Sequence, residues 1–112
     1  MGGRQGAGTR AGTSVSLPIV LRDEAQAEFD EAFDWYDARR VGLGLAFVGA
    51  VQEVFDRVAA NPRICRTVYA DVRRGVVSRF PYCVFYRTHA DRIEVLSVFH
   101  TSRDPAIWQG RV

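Results

Sequence analysis

Two neighbouring runs decide the fold: Arg73-Arg74-Gly75-Val76-Val77-Ser78-Arg79-Phe80-Pro81-Tyr82-Cys83-Val84-Phe85-Tyr86-Arg87, and, after a polar turn, Ile93-Glu94-Val95-Leu96-Ser97-Val98-Phe99-His100. β-Branched and aromatic residues dominate both, as suits a pleated, half-buried surface. Phe80-Pro81 and Thr88-His89-Ala90-Asp91 interrupt them at lengths that suit hairpins. The pattern predicts three strands, near 72–79, 82–88 and 92–99. Arginines are threaded through this sheet beside tyrosines and a histidine. Guanidinium groups grip phosphates or carboxylates in a bidentate fork, and rings stack on bases, so an anionic partner is expected.

Working backwards, residues 63–71 read as a loop, with a short strand at Arg66–Tyr69. Before it lie two amphipathic runs of helical period. In the first, Ala25, Phe29, Ala32, Phe33 and Tyr36 share a stripe, and Glu24, Glu28, Asp30, Glu31, Asp34 and Asp37 fill the other side. Asp23 is the expected N-cap, with Gln26 completing a capping box. Arg39-Arg40 suit the C-terminus, and Gly42 and Gly44 supply a turn. The second run places Phe47, Val51, Val54, Phe55 and Val58 on one stripe and stops at Asn61-Pro62. Leu17–Arg22 reads as a short strand that Pro18 confines to a strand start or a sheet edge.

The sum is β-α-α-β-β-β: an α+β fold, with an antiparallel sheet and a two-helix hairpin packed on one face. The other face is expected to stay partly open, available to the arginines. Residues 1–16 hold five glycines and almost no apolar side chains, so a disordered N-terminal tail is expected, with one domain over 17–112.

Composition narrows the chemistry. At 112 residues and 47% apolar content the chain supports one domain with its own core. Its net charge of +2 conceals an asymmetry: residues 20–60 carry nine acids against four arginines, and residues 61–112 nine arginines against four acids. All 15 basic residues are arginine, which stays charged and cannot act as a base. Any proton transfer falls to His100, His89, a tyrosine or a carboxylate. Cys65 and Cys83 show neither CxxC spacing nor a histidine partner at ligand spacing, so free thiols are expected, with no metal and no cofactor. No apolar run approaches a membrane span, and the N-terminus lacks a signal-peptide core, so a cytoplasmic location is expected.

The order of elements resembles the RelE/ParE superfamily of bacterial type II toxins. The resemblance spans about residues 17–108 and rests on Phe33-Asp34-Trp35-Tyr36 before Gly42-Leu43-Gly44, on Asn61-Pro62, on Asp71-Val72-Arg73-Arg74 through Phe80-Pro81-Tyr82 to Tyr86-Arg87, and on Val98-Phe99-His100-x-x-Arg103-Asp104-Pro105. It is nearer to the ParE-like "plasmid stabilisation" members than to the ribosomal nucleases. It implies a growth-inhibiting toxin held in a hetero-oligomer by a cognate antitoxin, whose flexible tail wraps it in an apolar groove. Trp35 and Trp108 are candidate anchors for that tail, beside the bland reading of Trp35 as an edge-of-core ring.

Two activities follow from the resemblance. ParE-like members inhibit DNA gyrase; RelE-like members cleave mRNA on the ribosome. For cleavage, His100 is the candidate acid or base, Tyr86 a proton donor, and Arg79 and Arg87 phosphate clamps. For target binding the candidates are Arg73, Arg79, Arg87 and Arg103, with Arg79 and Arg87 foremost because neither has an obvious local acidic partner. The chain has no lysine, and Trp108 and Gln109 stand where many active nucleases carry a tyrosine, which favours the ParE-like binder. A degenerate relative that only binds its antitoxin is the third reading. His100 as a hydrogen-bonded structural residue, and Arg103-Asp104 as a cap on the C-terminal turn, stay open beside the functional roles.

Overall fold

The computed structural model describes residues 16–112; the expected tail over 1–16 lies almost wholly outside them. In chain order the elements are β1 (Ile19–Leu21), α1 (Asp23–Arg39), α2 (Leu43–Ala60), β2 (Thr67–Tyr69), β3 (Val72–Val76), β4 (Tyr82–Thr88), β5 (Ile93–His100) and a short α3 (Ala106–Gln109). They form one five-stranded sheet in the order β1-β5-β4-β3-β2. The α+β class and the helical hairpin are as expected.

The sheet is mixed rather than purely antiparallel. β1 lies parallel to β5, with Ile19 opposite Ile93, while the other three pairings are antiparallel. A parallel pair needs a long connection, and two helices and three strands supply it here. The strand at Thr67–Tyr69 forms, extending the expected order to β-α-α-β-β-β-β with α3 at the end. β3 stops at Val76, three residues short of the expected end, because Arg79 adopts a left-handed backbone in the turn to β4.

Helix α1 starts one residue earlier than capping rules suggest. Arg22 is its N-cap, without a side-chain cap, and Asp23 is the first helical residue. Asp23 and Glu24 then meet the positive end of the helix dipole. Gln26 donates to Asp30 Oδ1 at 3.0 Å, so the capping box is not made. Gly42, at φ 89°, opens α2, and its N–H donates to Asp37 Oδ1 at 3.1 Å. That backbone favours glycine.

Two apolar layers flank the sheet. Between helices and sheet, Ala25 and Ala32 of α1 and Phe47, Val51, Val54 and Val58 of α2 pack on Val84, Tyr86, Ile93, Val95 and Val98. Tyr36, Phe47, Phe80 and Tyr82 close one end: Tyr36 and Phe47 each meet Phe80 and one another, and Phe47 meets Tyr82, with ring centroids 4.9–5.4 Å apart. The opposite face is not left open to the extent expected. Val72, Cys83, Phe85, Leu96 and Phe99 are roofed by Trp108 of α3, whose indole stacks on Phe85 at 4.0 Å.

Gly75 shows how tightly the first layer fits. A Cβ there would lie 2.7 Å from Val54 Cγ1 on α2. Gly75→Ala should therefore cost about 1–3 kcal/mol through overpacking. Urea unfolding checks this, and Gly49→Ala, whose Cβ would meet nothing within 4 Å, is the control.

Candidate functional site

The helices and the sheet diverge where α1 passes the ends of β4 and β5, leaving a groove of about 580 Å³. Trp35, Tyr36, Tyr82 and His100 form its aromatic walls, with Glu31 and Arg103 at its edges. Trp35 is 53% exposed, with the Arg39 guanidinium 4.0 Å above its ring. The spacing of Phe33-Asp34-Trp35-Tyr36 produces this: Tyr36 turns into the core while Trp35, about 100° round the helix, is left in solvent. Trp35 thus keeps its candidacy as an anchor. Trp108 offers no exposed ring to such a groove, because the indole is 3% exposed and belongs to the second core layer.

His100 ends β5 with its ring edge-on to Tyr82 at 5.1 Å. Its Nδ1 accepts from the Ser102 backbone N–H at 3.0 Å and lies 2.8 Å from Ser102 Oγ. Accepting from an N–H places the proton of the neutral ring on Nε2. The side chain is therefore oriented as a structural histidine at the turn, in a groove it also lines.

Beside it a buried carboxylate knots three parts of the chain. Glu28 of α1 accepts from Ser97 Oγ at 2.8 Å and from the Val98 N–H at 3.2 Å. It also accepts from Arg103 at 3.3 Å and from both Nη atoms of Arg111 at 3.0 Å. A β-bulge helps: Phe85 pairs with Ser97 but Tyr86 with Val95, so Leu96 is the extra residue. Arg111 donates further to the Leu96 carbonyl at 3.1 Å. Neither Glu28 nor Arg111 was singled out from the sequence; 83 residues separate them, and no local pattern signals the pair.

The candidate arginines do not converge on one point. Arg73 lies opposite Tyr86, hence on the helix side of the sheet, and donates to the Cys65 carbonyl at 2.7 Å. Arg74 lies opposite Phe85, on the other side, and is exposed. Arg87 was expected to lack an acidic partner, but its Nε and Nη2 both donate to Asp71 Oδ1, at 3.2 and 2.9 Å. Asp71 sits in the turn between β2 and β3, sixteen residues from Arg87, so the contact is invisible in spacing alone. Arg103 is divided between Glu28 and the Phe99 ring, 4.7 Å from its centroid. Arg79 is exposed at φ 67°, without a side-chain hydrogen bond among the described residues.

Tyr86 is corrected outright. It is fully buried, and its hydroxyl donates to the Pro62 carbonyl at 2.8 Å. Burial pushes its phenol well above the ordinary range, which unsuits it to proton transfer. Among the described residues no group of three or more His, Cys, Asp or Glu side chains is arranged to hold a metal, and no helix is long and apolar enough to cross a membrane.

Comparison with known proteins agrees with this architecture. The family model described as "ParE toxin of type II toxin-antitoxin system, parDE" matches residues 19–105. Toxin ParE1 of Mycobacterium tuberculosis, in strains CDC 1551/Oshkosh and H37Rv alike, is 34% identical over 94 residues, covering 80% of this chain and 95% of that protein. A structure titled "Chromosomal ParDE TA system from P. aeruginosa" superposes with a TM-score of 0.68 at 20% identity, over 80% of this chain and 100% of that one, a likeness of fold. The mixed sheet backed by a helical hairpin is that of a RelE/ParE superfamily toxin. Within the superfamily, this chain belongs to the ParE toxin family of type II toxin–antitoxin systems.

Proposed function

We propose that this chain arrests growth in the cytoplasm by binding and inhibiting DNA gyrase, and that a cognate antitoxin silences it by laying part of its tail in the groove beside Trp35. The observation that carries the reading is the state of Tyr86: the candidate proton donor is a core residue with its hydroxyl committed to Pro62. With His100 held by Ser102 as well, what the surface offers is recognition rather than acid–base chemistry. A ribosome-dependent mRNA nuclease, or a relative that only binds its antitoxin, remains the competing assignment.

A supercoiling assay with purified gyrase tests the proposal, with a translation extract programmed with mRNA run beside it. Inhibited supercoiling with intact mRNA supports it; cleaved mRNA in the ribosomal A site overturns it. A neighbouring reading frame encoding a small acidic protein with a DNA-binding start is expected.

Arg79 is the cation with the clearest claim on the target. Arg79→Asn removes the charge while suiting the left-handed backbone, so folding should be unharmed. Growth arrest should fall by about tenfold or more, the scale of one charge-assisted hydrogen bond. Undiminished arrest by the folded variant would remove Arg79 from the site.

A further inference from the structure

A second, smaller pocket lies on the sheet face away from the helical hairpin. It holds about 200 Å³ between Arg74 of β3, Phe85 of β4, Phe99 of β5, Thr101, Arg103 and Trp108. Apart from Arg103, which also edges the groove, nothing in the gyrase or groove readings uses it, and three of its groups have unspent capacity. Arg74 is exposed and makes no side-chain hydrogen bond or ion pair among the described residues. Arg103 directs one Nη to Glu28 but keeps 43% of its side chain accessible. The Trp108 indole N–H is a buried donor with no acceptor, the one such side-chain atom among the described residues. Native chains rarely leave a buried donor unmet, and a ligand is one way of supplying the acceptor.

The dimensions and lining define what fits. The volume falls below the roughly 300 Å³ at which pockets begin to hold whole small molecules, so the occupant is an inserted side chain. Two guanidinium groups and an N–H demand an anion that only accepts; the Phe85, Phe99 and Trp108 rings demand an apolar stem. A carboxylate on a short methylene chain meets both demands. A phosphate does so less well, because it brings no apolar stem to the three rings.

We propose that this pocket is a receptor for one carboxylate side chain, aspartate or glutamate, carried by the antitoxin. Charge complementarity selects that partner: the half of the chain that builds the pocket carries nine arginines against four acids, and the expected antitoxin is acidic. The inference rests on reading the chain as the toxin half of a toxin–antitoxin pair. It makes the neutralising contact two-sided, with one part of the tail beside Trp35 and an acidic side chain on the opposite sheet face.

The test uses the full chain labelled with ¹⁵N, whose two tryptophans give two indole N–H signals, assigned with Trp35→Phe. N-acetylglutamate N-methylamide and inorganic phosphate are titrated separately at constant ionic strength, to about 50 mM because a single charge-assisted contact is weak. The expected result is a saturable downfield shift of the Trp108 indole signal with the glutamate probe and little response to phosphate. Arg74→Gln should weaken that response about tenfold or more. A phosphate response equal to or larger than the carboxylate response overturns the assignment in favour of a nucleic-acid phosphate. So does a silent Trp108 signal, or an Arg74→Gln titration identical to wild type. Growth arrest relieved by the neighbouring antitoxin, together with a silent Trp108, would leave the toxin reading standing while removing the pocket from it.

Discussion

Glu28→Ala is expected to lower the free energy of unfolding by about 3–5 kcal/mol, the scale seen when one partner of a buried ion pair is removed. The carboxylate is 9% exposed and accepts from Ser97, Val98, Arg103 and Arg111. Its loss leaves Arg111, itself only 13% exposed, as an uncompensated charge against the Leu96 carbonyl. It also strips an acceptor from a backbone N–H at the bulge. A domain of this size has roughly 5–15 kcal/mol in all, so the change takes a large share of its stability. Glu31→Ala, on the same helix but exposed, should stay within about 0.5 kcal/mol. Urea denaturation of the two variants side by side checks the claim. Equal midpoints would mean that the C-terminal segment is held by packing alone.

This knot also marks the boundary of what the sequence discloses. Period-2 and period-3.6 patterning located β4 to the residue and both helices within a residue or two at most ends, because those signals are local and repeat many times. The parallel seat of β1 beside β5 was not legible: three residues carry no direction signal, and the partner lies more than seventy positions away. Side-chain targets failed for the same reason. Arg87 looked unpartnered because Asp71 is sixteen residues off, and Tyr86 looked available because alternation gives the face of a strand but not what covers it. Exposure at Trp35 was half legible. It shares a run with Phe33 and Tyr36, and only the helix's rotation separates the half-buried rings from the free one.

The two tryptophans give the sharpest contrast. Trp108→Ala should cost about 3–5 kcal/mol, as for other large aromatics cut from a core. The indole stacks on Phe85 at 4.0 Å, meets Tyr69 edge-on at 5.8 Å and roofs the layer of Cys83, Leu96 and Phe99. Its orphan N–H returns part of what is lost, so a result near the lower bound is expected. Trp35→Ala removes a ring that is 53% exposed and touches mainly Tyr36 and Arg39, so unfolding should change by less than about 1 kcal/mol. Its effect should instead fall on association with the antitoxin, weakened by about 2 kcal/mol or more as for a tryptophan anchor at the centre of an interface. Urea unfolding of both variants and titration of the folded Trp35→Ala chain with antitoxin separate the roles. If Trp35→Ala binds as wild type does, the groove beside α1 is not where the tail lies; if Trp108→Ala unfolds at the wild-type midpoint, the second apolar layer contributes nothing to holding α3 on the sheet.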